Sequence, residues 1–128
     1  MTAADVTRVL DRLDAAGVAW RVDGGWGVDA LLAAQTRAHR DLDLAVSRAD
    51  LARVEAALPS SRRVETGEWP RFVILEDAGG RRVDLDLRQT DASSSLGQIA
   101  GRRVRCAPRA AQLATARPRD AEALRSGI

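Results

Sequence analysis

Two short stretches constrain this chain more than any other feature: Asp41-Leu42-Asp43-Leu44 and Val83-Asp84-Leu85-Asp86-Leu87. Each alternates acidic and apolar residues with a period of two, the mark of a half-buried strand. Asp41 and Asp43 therefore share one face of a strand while Leu42 and Leu44 take the other. Two residues of rise place the two Cα atoms about 6.5 Å apart. Carboxylates held that close repel one another unless positive charge lies between them. A hard divalent cation with oxygen ligands, Mg²⁺ above all, meets that need and leaves coordination positions open for phosphates. Asp84 and Asp86 repeat the device, so aligned acidic faces would bring four carboxylates together. The alternative is two strands that each turn an ordinary acidic side to solvent. The low strand propensity of Asp argues against it.

The rest of the chain reads as helices and strands around these two segments. Val6, Val9, Leu10 and Leu13 recur at helical spacing, Thr2 can cap the start, and Gly17 suits a left-handed end. Residues 18–22 predict a short strand, followed by a glycine turn at residues 23–27 and a helix over 28–34. Ser47 with Asp50 resembles a capping box, predicting a helix to about Leu58, where Pro59 ends it. Strands over 71–76 and 81–88 flank Asp77-Ala-Gly-Gly80 and predict a hairpin. Residues 91–97 read as a polar, Ser-rich loop, 104–106 as a short strand, and Pro108 onward as a helical region broken at Pro118. This order predicts an α+β fold, with a central mixed sheet packed against helices. It leaves strand order open.

At 128 residues, 45% of them hydrophobic and 30% charged, the chain suits one compact domain and not a disordered or fibrous one. No apolar run approaches a membrane span, and the first residues lack a secretory pattern. The single Cys106 has no internal disulfide partner, and a reducing cytoplasm is the expected home. The net charge of +2 is unevenly placed: residues 1–100 carry −3 and residues 101–128 carry +5. A basic tail on a mildly acidic body is not a uniformly basic nucleic-acid binder. No aromatic residue lies near the tail to stack on bases, which ranks nucleic acid last among partners.

Gly24 and Gly25, between a strand and a helix, allow close backbone approach to a ligand, and a helix N-terminus offers free N–H groups to an anion. The turn has neither P-loop spacing nor a Lys. Arg37, His39 and Arg40 follow, placed to neutralise a triphosphate or its leaving group, or else to lie on a solvated loop. His39 is the only histidine, which excludes a multi-histidine zinc site. Ser93 to Ser95 resemble linker and not nucleophile.

Together, Asp23-Gly-Gly-Trp-Gly-Val-Asp-Ala-Leu-Leu32 and Gln35-Thr-Arg-Ala-His-Arg-Asp-Leu-Asp-Leu44 resemble the lincosamide and aminoglycoside nucleotidyltransferases of the DNA polymerase β-like superfamily. The likeness covers about residues 5–107. It implies that Asp41 and Asp43 ligate one or two Mg²⁺ ions bound to a nucleoside triphosphate, expected to be ATP. Gly24, Gly25 and the helix N-terminus would hold the phosphates, with Arg37, His39 and Arg40 nearby. Asp84 would complete the metal site or act as general base on an acceptor hydroxyl. The reaction implied is transfer of a nucleoside monophosphate, with release of pyrophosphate, to a hydroxyl of a small molecule such as an antibiotic.

Trp26 reads either as a base-stacking platform or as a buried anchor, and Asp86 as a supporting group or an acceptor contact. Asp29 belongs to the motif without an assigned role. Residues 1–107 are expected to form the catalytic domain and 108–128 a short basic helical tail, not an independent domain. Many superfamily members carry Ser where this chain has Gly25. Antibiotic-modifying members usually have further C-terminal structure for the acceptor, and a tail of charge +5 would oppose a polycationic aminoglycoside if it lined the acceptor pocket. Two other readings follow from the same residues: transfer to a protein partner of the toxin–antitoxin kind, or a non-catalytic nucleotide-binding relative. Acceptor, nucleotide preference and oligomeric state are not encoded in any recognisable motif.

Overall fold

The computed structural model describes residues 1–64, 71–87 and 93–127. Helix α1 (Ala3–Ala15) starts where Thr2 predicts. The Thr2 hydroxyl accepts the Asp5 N–H at 3.1 Å, and the Asp5 carboxylate accepts the Thr2 N–H at 2.9 Å. Val6, Leu10 and Leu13 are fully buried along its inner stripe, and Gly17 turns the chain at φ +74°. Thr2→Ala leaves one of these N–H groups unpartnered. A loss of about 1 kcal/mol is expected in denaturant unfolding, with no change in m-value.

Strand β1 (Trp20–Asp23) runs directly into α2 (Gly24–Leu32), which begins at the first glycine and not at Val28. Strand β2 (Asp41–Val46) follows. The Ser47 hydroxyl accepts the Ala49 N–H at 3.3 Å, and a 3₁₀ turn over Arg48–Asp50 precedes α3 (Leu51–Ala57). The expected helix thus opens tighter than an α-helix. Strand β3 (Ser61–Val64) carries no apolar alternation because three of its four residues are exposed, so periodicity misses it. The hairpin forms as expected from β4 (Phe72–Asp77) and β5 (Arg82–Leu87). Asp77 accepts the N–H groups of Gly79 and Arg81 within the turn. The expected strand end at Arg88 lies outside the described residues.

Strand β6 (Ser95–Ile99) replaces the second half of the expected Ser-rich loop; Asp91 and Ala92 lie outside the described residues. As an edge strand it pairs only with β7 (Arg102–Cys106), among the described residues, and has little apolar face to announce it. Gly97 lies against α2, where a Cβ would sit 2.4 Å from the Ala30 carbonyl oxygen. Helices α4 (Arg109–Thr115) and α5 (Pro118–Ser126) complete the chain. No helix among the described residues is long and apolar enough to cross a membrane.

The strands form one mixed sheet in the order β3-β4-β5-β2-β1-β7-β6. Its pairs are antiparallel except β2 with β5 and β1 with β7. The register sets Leu42 beside Val83, Leu44 beside Leu85 and Val22 beside Leu44. These residues are buried in one cluster with Val6, Leu10, Leu13 and Val54 from α1 and α3. The apolar half of each alternating strand is thereby used up, and the acidic half is committed to the opposite face.

Candidate active site

The register brings Asp23, Asp43 and Asp84 into one row across β1, β2 and β5. Asp41 lies in the next row, opposite Arg82, and Asp86 in the row on the other side, opposite Ala45. All five carboxylates occupy one sheet face. The four Asp residues of the two alternating segments therefore share a face as expected, with Asp23 as an addition. Asp43 and Asp84 are direct neighbours, whereas Asp86 is paired with Arg71 at 3.4 Å.

The charge in this row is poorly compensated. Burial, followed by the nearby Asp84, Asp41 and Asp23, pushes the Asp43 carboxyl up to about 6, while Arg117 pulls it down. Burial and then Asp41 raise Asp84, and Arg82 lowers it. Arg82 Nε stands 3.9 Å from Asp84 and 4.0 Å from Asp41, too far for a hydrogen bond to either. Arg82 Nε and Asp84 Oδ1 are consequently buried without hydrogen-bond partners. A buried carboxylate oxygen with no donor calls for an additional ligand.

The donor set fits Mg²⁺, all oxygen and all on one face. Among the described residues, no three Asp, Glu, His or Cys side chains form a ready metal cage. Mg²⁺ typically binds through one or two carboxylates and completes its shell with water and substrate phosphates.

Beside the row opens a cleft of about 580 Å³, lined by Gly24, Gly25, Asp41 and Asp43 on one side. The N-terminus of α2 is uncapped: Asp23 makes no side-chain bond to it, because Arg21 holds both carboxylate oxygens at 2.9 and 3.2 Å. Its first N–H groups are left for a ligand. Gly24 has φ +62°, and a Cβ there would lie 2.1 Å from Asp43 Oδ2. The glycine is what allows the turn and the Asp43 carboxylate to share the same space.

Arg37, His39 and Arg40 also line this cleft, with Arg117 and Arg119 facing them from the start of α5. Arg40, Arg117 and Arg119 are exposed. Arg37 is engaged by Asp120 through two 3.0 Å hydrogen bonds. His39 is buried, its Nε2 on the Asp29 carboxylate and its ring 4.8 Å from that of Trp26. Trp26 is 1% exposed and acts as an anchor of α2, not as a stacking surface. Asp84 lies beside the cleft in the carboxylate row and does not line it. Ser93 offers its carbonyl to Arg21, and Ser95 starts β6.

Sequence reasoning did not anticipate the second wall of the cleft. Gln112, Thr115, Arg117, Arg119 and Asp120 come from α4 and α5. Gln112 is buried and donates to the Ala107 carbonyl at 3.0 Å, and Ala121 and Leu124 are buried as well. The tail is thus docked on the body. Pro108 and Pro118, at the starts of α4 and α5, are its legible signals, and they mark elements but not where those elements pack.

This sheet with its acidic row, and a glycine turn opening onto a cleft, define a nucleotidyltransferase fold shared with antibiotic-modifying enzymes. The crystal structure of ANT(2")-Ia in complex with adenylyl-2"-tobramycin superposes with a TM-score of 0.74 at 26% identity, over 87% of this chain and 71% of that one. The lincomycin-bound lincosamide antibiotic adenylyltransferase LnuA has the same fold, with a TM-score of 0.85 at 22% identity over 100% and 99% of the two chains. A lincosamide resistance protein of Staphylococcus haemolyticus is 41% identical over 44 residues, which span 34% of this chain and 27% of that protein. The aminoglycoside-2''-adenylyltransferase family model matches residues 5–116, and the chain belongs to that family.

Proposed function

We propose that the protein is an Mg²⁺-dependent adenylyltransferase that moves AMP from ATP to a hydroxyl of a small molecule, of the antibiotic class its family modifies. The observation that carries this reading is the Asp43–Asp84 row beside the uncapped Gly24–Gly25 helix start. Carboxylates for a metal and free N–H groups for phosphates meet at one point. Asp41 and Asp43 would hold Mg²⁺, which when bound neutralises the phosphates and stabilises charge on the attacking and leaving oxygens. The α2 N–H groups bind the phosphate chain, and Arg40, Arg117 and Arg119 offset its negative charge.

Asp84 completes the metal site or takes the proton of the acceptor hydroxyl; its raised pKa and unpartnered Oδ1 suit the second task. The hydroxyl oxygen attacks the α-phosphorus, a new O–P bond forms, and the bond to pyrophosphate breaks. Incubation with ATP, Mg²⁺ and a panel of hydroxylated antibiotics is expected to release pyrophosphate, and excess chelator to stop it. An absence of release across aminoglycosides and lincosamides, with ATP still bound, would remove the small-molecule acceptor from the reading. MgATP binding itself is expected to raise the melting temperature, stabilising the protein by about 2.7 kcal/mol at a hundred times Kd.

A further inference from the structure

Asp29 and Asp120 are buried carboxylates that the proposed chemistry leaves without a task. Asp29 sits within α2 and is 2% exposed. One of its oxygens accepts the Thr36 hydroxyl at 2.6 Å, and the other is bonded to His39 Nε2. With Nε2 committed to Asp29, the nitrogen left toward the glycine turn is Nδ1. Asp120, on α5, grips the Arg37 guanidinium in the bidentate geometry that fixes its plane as well as its position.

The two held side chains converge on one residue. A Cβ built on Gly25 would lie 2.4 Å from His39 Nδ1 and 2.9 Å from Arg37 Nη2. Gly25 is the second residue of α2, where the free N–H groups open onto the cleft. We propose that Asp29 and Asp120 are positioning residues of the nucleotide site, holding His39 and Arg37 against Gly25 so that the α2 N-terminus keeps the shape that receives phosphate. This rests on the reading of the cleft as a nucleotide site and extends it. It gives the motif aspartate a role, and it makes α5 part of the phosphate-binding apparatus instead of a tail.

The pairing has a physical rationale. A turn of two glycines is the most pliable backbone available, and ordering it on binding would cost affinity. His39, packed at a 55° tilt against Trp26 and tied to Asp29, backs the turn from the α2 side. Arg37, tied to Asp120, backs it from the α5 side. Neither carboxylate needs to touch the ligand to matter.

Double-mutant cycles on MgATP affinity, measured by calorimetry without acceptor, test this. Asp29→Ala is expected to weaken binding about tenfold, the scale of a lost hydrogen bond to a charged group. The same change in a His39→Ala background is expected to add less than about twofold, because Asp29 acts through His39. Asp120→Asn with Arg37→Ala should behave alike. Wild-type affinity in both single carboxylate variants, or effects that multiply fully in both double variants, would overturn the proposal. A purely stabilising role would lower the melting temperature while leaving Kd unmoved. Should Asp29→Ala fail to fold, the Asp120–Arg37 cycle decides the matter alone. Wild-type protein that does not bind MgATP at all sinks the nucleotide reading itself, an outcome distinct from binding that the variants leave unchanged.

Discussion

Asp43→Asn is expected to reduce nucleotidyl transfer by about a thousandfold or more while leaving the protein folded and, without metal, more stable than the wild type. The first effect follows from the place of Asp43 between Asp23 and Asp84, in the row that borders the cleft. An amide keeps the shape but supplies neither the charge nor the second anionic oxygen that a hard cation requires. The second effect follows from the cost of its charge. Folding raises the carboxyl from an ordinary 3.8 to about 6, through burial first and through Asp84, Asp41 and Asp23 next.

An acid whose folded pKa lies above its unfolded one binds protons better when folded, so its ionisation destabilises the fold. Well below pH 3.8 the group is neutral in both states and costs nothing. The penalty grows as pH rises from about 4 to 6 and is fully present above that window. In chelator at pH 7.5, Asp43→Asn is therefore expected to gain roughly 1 to 3 kcal/mol, and the gain should shrink toward pH 4 and vanish by about pH 3. Denaturant unfolding at several pH values measures it. Equal stability of the two proteins at pH 7.5, or transfer within tenfold of wild type, would contradict the assignment of Asp43.

Gly24→Ala is expected to be nearly as damaging to activity, and for a different reason. The added methyl group would sit 2.1 Å from Asp43 Oδ2 and 3.2 Å from its Cβ, at a backbone φ of +62° that Ala adopts only with strain. The carboxylate is the movable party, so it rotates away and the fold survives at a cost of about 1 to 2 kcal/mol. The consequence is a protein with every site residue present and the carboxylate proposed to hold the metal displaced. Activity should fall by about a hundredfold or more, the scale expected when a positioned charge is misplaced. The loss should not add to that of Asp43→Asn, because both changes remove the same carboxylate. Independent, multiplying losses would show that Gly24 serves the phosphates alone.

Much of this site is written in local sequence. Strand alternation has a period of two, and a side chain's face is fixed by its parity, so Asp41 with Asp43 and Asp84 with Asp86 could be assigned to common faces before any fold was known. The Gly24–Gly25 turn was legible for a similar reason, since glycine marks the backbone that other residues cannot follow. Thr2, Gly17 and the Asp77–Gly80 turn likewise act within a few residues of themselves and were found where expected.

What the sequence could not decide is everything that depends on which segments become neighbours. The parallel pairing of β2 with β5 is what makes Asp43 the neighbour of Asp84 and sets Arg82 against Asp41. Shifting that register by one residue would send one acidic set to the opposite face. Strands β3 and β6 were missed because edge strands exposed to solvent need no apolar period. The docking of α5, which brings Asp120 to Arg37 across 83 residues of chain, leaves no periodic trace at all. Composition showed a tail of positive charge without showing where it packs. Only the packed structure turns that tail into a wall of the cleft, because a long-range ion pair is specified by the meeting of two surfaces and not by the pattern of either one.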